Sequence, residues 1–154
     1  MKDTDNDISR LNGLITTTID SVDGYREAAS DASSSTFRSI FMDRANERDG
    51  VVSELQAEVR NLGGTPDDSG SALAGAHRMF TNLREAIAGG DDKAIIAEVE
   101  RGEDHIKAKY GAALADPDLS PNSVALVQRC YQSVKEGHDQ MRDLKHGVSA
   151  EANM

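Results

Sequence analysis

Glu47, Glu103 and His138 are the side chains whose types and placement could do chemistry, and that chemistry would be holding a divalent metal ion. Two carboxylates and an imidazole supply the hard oxygen and borderline nitrogen donors that first-row metals accept. Aligned at their starts, the helices expected below bring Asp20, Glu47, Glu103 and Val134 to comparable heights, with His138 about one turn away. Asp20 or Glu27 could complete such a ligand set. Arg44 and Arg48, however, fall on the inward repeat of the same segment as Glu47. Two fixed cations compete for the same carboxylates. The leading reading is therefore a structural network in which the arginines neutralise the acids and help fix helix register. Dimetal centres in helical bundles draw one Glu from each of two helices and Glu-x-x-His from each of the other two. This chain has no Glu-x-x-His: that pattern meets Gly50 after Glu47, Ile106 after Glu103 and Asp139 after Glu136, and the nearest approach is Glu100-x-x-Glu103. No residue is expected to be catalytic.

The remaining reactive side chains have plainer readings. His138 lies on an apolar heptad row, where a lone histidine is more often a hydrogen-bonded core residue than a ligand. His77 and His105 flank their apolar rows, and His146 sits near a helix C-terminus, where a cation is favoured. Cys130 reads as a small core residue, since a nucleophilic thiol needs a base and an electropositive pocket. Gly63-Gly64 and Gly89-Gly90 match no phosphate-binding loop and follow no strand, so helix termination accounts for them. The acidic surplus, including Glu98, Glu100, Glu103 and Asp104, reads mostly as a solvated helix face.

These residues need elements to position them. The chain's 154 residues suffice for one domain with an apolar core. A formal net charge of −10 repels phosphate backbones and anionic lipid, so neither nucleic acid nor a membrane surface is an expected partner. No stretch is apolar for long enough to span a bilayer. A single cysteine excludes an intrachain disulfide. The opening Met1-Lys2-Asp3-Thr4-Asp5-Asn6-Asp7 lacks the pattern of a signal peptide, and a cytoplasmic protein is expected.

Breakers cluster at Gly63-Gly64-Thr65-Pro66, Gly89-Gly90-Asp91-Asp92 and Asp116-Pro117 to Ser120-Pro121, with a softer joint at Ser33-Ser34-Ser35. Between them the apolar residues step by three and four, as a helix requires. A first helix is expected from about Asp7 to Ala32 on Ile8, Leu11, Ile15, Ile19, Val22 and Tyr25. A second is expected from about Thr36 to Leu62 on Phe37, Ile40, Phe41, Val51, Val52, Leu55, Val59 and Leu62, with Gly63 in the left-handed conformation after it. A short helix from about Ser71 to Ala88 comes next. A third long helix, capped by Asp91 or Asp92, carries Ile95, Val99, Ile106, Tyr110 and Leu114. The last opens at Ser120-Pro121, carries Val124, Val127, Tyr131, Val134, His138, Met141 and Lys145, and frays after Gly147. Flexible termini are expected at 1–6 and 148–154, around a four-helix-bundle domain at 7–147. The link from 63 to 90 is long enough to travel back along the bundle, which sets the third long helix parallel to the second.

The segments Tyr25-Arg26-Glu27-Ala28-Ala29, Leu55-Gln56-Ala57-Glu58-Val59 through Gly63-Gly64-Thr65-Pro66, Glu100-Arg101-Gly102-Glu103-Asp104 and His138-Asp139-Gln140-Met141-Arg142 resemble those of an uncharacterised bacterial family of ferritin-like four-helix-bundle proteins. The resemblance covers about residues 8 to 146. It implies an all-α, ferritin-like four-helix bundle with a short helical crossover between two hairpins, and a bacterial origin, but supplies no activity. Two functions stay open. One is a non-enzymatic protein acting through protein contacts, as a homodimer or larger homo-oligomer. The other is a metal-binding or oxidative-stress protein with a degenerate site for iron or manganese.

Overall fold

The four long apolar rows each wind into one helix, and burying those rows against one another builds the molecule. The computed structural model describes residues 2–68 and 92–152, with side chains for 4–68 and 92–147. Its helices are α1 (Lys2–Asp31), α2 (Ser35–Asn61), α3 (Asp92–Leu114) and α4 (Pro121–Ala152), and the described residues contain no strand. The short helix expected from Ser71 to Ala88, with His77, lies outside the described residues.

Leu11, Ile15, Val22 and Tyr25 of α1, Phe41, Val52, Leu55 and Val59 of α2, Ile95, Val99, Ile106 and Tyr110 of α3, and Val127, Val134 and Met141 of α4 are all buried in one core. Each such side chain contributes roughly 1.5–3 kcal/mol of transfer free energy. No single row stands alone, because a helix exposes its stripe until its neighbours cover it.

Hydrogen bonds between helices set their directions. From α1, Asn6 and Arg10 reach Asp116 just beyond α3. Thr18 shares a 2.8 Å hydrogen bond with Tyr110, and Tyr25 reaches Glu103. The Ser33 and Ser34 amides donate to Asp92 at 2.9 and 3.0 Å. Rising numbers on α1 meet falling numbers on α3, so these two helices are antiparallel. Along α2 and α4 the same holds: Arg44 meets Gln140, Glu47 meets Ser133, and Glu54 meets Cys130. Short turns make α1–α2 and α3–α4 antiparallel hairpins, so α2 and α3 run the same way. The chain leaves α2 at the end that holds Asp7 and Asp116, and α3 begins at the opposite end.

The ends of the helices explain where they stop. Ser34 caps α2, its hydroxyl accepting from the Phe37 amide. After α2 the backbone turns at Gly63, whose φ of 84° is the left-handed conformation that costs glycine little. The Gly63 amide donates to the Arg60 carbonyl and the Gly64 amide to the Val59 carbonyl, which satisfies carbonyls the helix end would leave bare. Thr65 and Asp67 then lie along α1, bonded to Asn12 and Thr16.

Two boundaries differ from the sequence expectation. α1 starts at Lys2 rather than Asp7, as nothing before Asp7 breaks a helix and Asp5 suits its positive end. Asp7 is buried instead, accepting from the Ser120 amide at 3.0 Å, from the Ser123 hydroxyl at 2.8 Å and from the Ser120 hydroxyl, so α1 helps cap α4. α4 continues through Gly147 to Ala152, because one glycine costs a helix only about 1 kcal/mol. Asp92 is the first residue of α3, and its carboxylate holds the α1–α2 turn.

Candidate functional site

At mid-height the four helices meet around a charge. Arg48 of α2 has no exposed surface. Its Nη2 donates to Glu103 Oε2 at 2.5 Å and its Nη1 to Ser21 Oγ at 2.7 Å. The Tyr25 hydroxyl donates to the other Glu103 oxygen at 2.7 Å. The guanidinium carbon also lies 5.6 Å from the Tyr25 ring centroid, within range of a cation–π attraction. α4 contributes an absence. A Cβ at Gly137 would collide with Arg48 Nη2 and approach Arg44 Cδ and Glu103 Oε2 to 3.1 Å. The glycine thus opens the space that the ion pair fills.

This geometry keeps the Arg48 guanidinium charged and the Tyr25 hydroxyl protonated. Burial alone would lower the Arg48 pKa, but the Glu103 charge, with Tyr25 and Tyr110 behind it, holds it above its usual value. Burial, then the adjacent Glu103 charge, pushes the Tyr25 hydroxyl well up, so it stays protonated and donates. Tyr110 is raised by burial as well, against the Thr18 hydrogen bond. The arrangement is an internal tie: a charged donor fork, a carboxylate with both oxygens engaged, and a phenol that cannot ionise near neutral pH.

The three expected ligands do not converge. Glu103 is the interior carboxylate just described. Glu47 is 40% exposed at the α2–α4 seam, where it accepts from Arg44 Nη1 at 2.6 Å and from the Ser133 hydroxyl. Arg44 also donates to Gln140 at 2.7 Å. His138 belongs to a separate group. Its Nε2 lies 2.6 Å from Asp104 and its Nδ1 lies 3.4 Å from Asp139. Of the two acids expected to complete the set, Asp20 is buried on α1 and Glu27 is exposed; neither stands in a cluster of metal-ligating groups among the described residues. Glu98 and Glu103, read from the sequence as part of a solvated face, are buried; Glu98 is gripped by Arg101.

A dimetal centre of the helical-bundle kind does not fit the interior. Such a centre needs several inward carboxylates and two Glu-x-x-His motifs, whereas here Glu103, the acid at the centre, is engaged on both oxygens and a fixed cation shares the layer. The group that does converge among the described residues is Glu100, Asp104 and His138, whose ligand atoms all lie within 4.8 Å of one another. Sequence reasoning leaves Glu100 and Asp104 on the solvated face. Their i, i+4 spacing is the available signal, since it puts both on one side of α3.

Cys130 is buried, and burial followed by the nearby Glu54 charge pushes its thiol up to about 12. A thiol held protonated is a poor nucleophile. An open groove of about 440 Å³ between α1 and α3 is lined by Ser9, Arg10, Gly13, Thr17 and Lys109.

Fold and centre together define, among the described residues, a four-helix bundle locked by a buried ion pair between α2 and α3 that hydrogen bonds tie to α1. The chain belongs to the family described as Domain of unknown function (DUF2383), which matches residues 6–116. No curated protein matches the chain. No helix among the described residues is long and apolar enough to cross a membrane.

Proposed function

We propose that the protein is a ferritin-like bundle that works without catalysis, through contacts of its helix faces with proteins, a second copy of itself first. One observation carries this reading: Arg48, fully buried, stands at the layer where a metal-binding bundle would keep ligands, and its partner is the interior carboxylate Glu103. A centre filled this way stabilises a shape.

The outer face of α2 supports self-association. Met42 is 41% exposed and borders a shallow groove of about 320 Å³ lined by Ala29, Ser30, Arg38 and Asp43. Arg38 and Asp43 carry opposite charges on one patch. A two-fold axis sets such a patch against itself, so that each arginine faces the other copy's aspartate. Light scattering after size exclusion tests this at micromolar concentration. A mass above the monomer is expected, with helicity unchanged by chelator. Asp43→Arg should dissociate the assembly and Arg38→Asp/Asp43→Arg should restore it. A wild-type monomer would sink the assembly part.

The same reading takes the protein as bacterial and cytoplasmic, with the acidic surface excluding nucleic acid and anionic membranes as partners. Cell fractionation that placed it with the envelope would count against this. The metal-binding or oxidative-stress reading, with iron or manganese at Glu47, Glu103 and His138, keeps one of its three ligands in a convergent group. That ligand is His138.

A further inference from the structure

We propose that Glu100, Asp104 and His138 form a surface site for one first-row divalent transition ion, on the α3–α4 edge and separate from the Arg48–Glu103 centre. This goes beyond the contact function proposed above and does not depend on it.

The donor set argues for the class of ion. An imidazole nitrogen with two carboxylates suits zinc, cobalt, manganese or ferrous iron, whereas calcium and magnesium prefer oxygen alone. Three protein ligands leave positions for water, as at open zinc sites. The backbone positions are fixed by helices rather than loops, which holds ligands more closely in place. Glu100 and Asp104 stand one turn apart on α3, and His138 faces them from α4. Their ligand atoms already lie within 4.8 Å of one another. With bonds of about 2.0–2.2 Å to a shared ion, two donors stand roughly 3 to 4 Å apart. Asp104 and His138, now 2.6 Å apart, need only open slightly to admit it.

Orientation is the second argument. The His138 side chain is only 11% exposed, and Asp139 lies against its Nδ1 at 3.4 Å. A carboxylate on one ring nitrogen turns the other nitrogen toward the metal and makes it the better donor. Gly137, immediately before, is locked against Arg48, so the backbone that carries the imidazole is pinned by the core. Asp104 is 60% exposed, which gives an ion access from solvent. The net charge of −10 raises the local cation concentration. Lys145, 3.5 Å from Glu100 and 43% exposed, is the competitor. At 3.5 Å the half-exposed ammonium is loosely held, and its flexible stem lets it swing away.

The rival account is a plain side-chain contact between His138 and Asp104 with no ion between them. Metal titration separates the two. Untagged full-length protein, stripped by chelator and dialysed, is titrated with Zn²⁺ by calorimetry and with Co²⁺ by visible absorption. One ion per chain is expected, with a cobalt band of an imidazole–carboxylate site. Asp104→Asn, at the exposed side, and Glu100→Gln, an isosteric change, should keep the helical circular dichroism and weaken binding by about tenfold or more; Asp139→Asn should weaken it by about tenfold by loosening the imidazole's orientation. His138→Ala should abolish it, while Glu47→Gln and His146→Ala should leave it unchanged. Binding that stays substoichiometric at saturating Zn²⁺, or that survives Asp104→Asn and His138→Ala at full strength, would overturn the site.

Discussion

Glu103 and Asp104 are adjacent on α3, carry the same charge, and live under different physics. Glu103 is 1% exposed and spends both oxygens on Arg48 and Tyr25. Asp104 is 60% exposed and meets His138 across an edge that water reaches. A step of one residue turns about 100° around a helix, and here that turn separates the bundle's centre from its surface. At the centre a charge costs several kcal/mol to desolvate and survives only with its partner. At the edge the charge keeps much of its water, so the pair contributes little to stability and stays available to another cation. Acidic residues on one helix can therefore serve as a lock and as a ligand, and access decides which.

The largest expected effect tests the lock. Arg48→Met should cost about 3–5 kcal/mol in urea unfolding, because Glu103 is left buried without its counter-charge. For a domain whose whole stability is of the order of 5–15 kcal/mol, that is a severe loss. Arg48→Met/Glu103→Leu should recover much of it, as both charges leave together. Recovery stays incomplete, since Ser21 and Tyr25 lose acceptor or donor partners and each unsatisfied buried group costs about 1–3 kcal/mol. An Arg48→Met protein as stable as wild type would erase the contrast between centre and edge.

The glycines sharpen the same contrast. Gly137→Ala should destabilise by about 1–3 kcal/mol, the usual penalty for overpacking, as its new methyl meets Arg48, Arg44 and Glu103. Gly111, exposed on α3, faces open space: a methyl there would have nothing within 4 Å. At that position Ala should stabilise by about 0.5–1 kcal/mol through helix propensity. Equal signs for the two substitutions, measured by thermal melts, would show that Gly137 is not where the lock closes.

Much of this is legible in the residues. The three-and-four stepping of apolar side chains marks each long helix; Gly63 marks an end because few other residues adopt its left-handed backbone, and Ser120-Pro121 marks a start because serine caps a helix and proline fits its first turn. Heights are legible too. The sequence sets Asp20, Glu47 and Glu103 at one level, and Ser21, Arg48 and Glu103 are found there; on α4 it names Val134, whereas Gly137, about 4.5 Å further along the helix, is what meets the centre. Rotation is not. One residue shifts height by only about 1.5 Å but swings the side chain by about 100°, so Glu47 passes from the centre to the α2–α4 seam while Arg48 takes its place. For the same reason the sequence groups His138 with Glu103 instead of Asp104. Asp7 is readable as the start of the first helix, but its bonds to Ser120 and Ser123 join distant parts of the chain, and no local pattern announces such a partner.

At the edge itself, Asp104→Asn should change unfolding stability by no more than about 1 kcal/mol, while metal affinity falls. Loss of stability on the scale of Arg48→Met would mean that Asp104 belongs to the lock after all.

The smallest expected effect extends the comparison to a third acid, at the end of the bundle. Asp116 accepts from the Asp118 amide at 2.9 Å, from Arg10 Nε at 2.9 Å and from Asn6 at 3.1 Å. The amide bond first, then Arg10 and Asn6, hold its carboxyl below the usual carboxylate range. A carboxyl whose pKa is depressed by folding adds stability above its unfolded pKa and loses it as pH falls through the folded one. The gap in melting temperature between wild type and Asp116→Asn should thus be full at neutral pH and close only under acid conditions below the ordinary aspartate pKa of about 3.9. A gap that stays constant down to about pH 2 would show that Asp116 acts by shape alone. Charge at this end would then matter no more than a neutral hydrogen bond, and the difference between sealed and solvent-reached acids would rest on Glu103 and Asp104 alone.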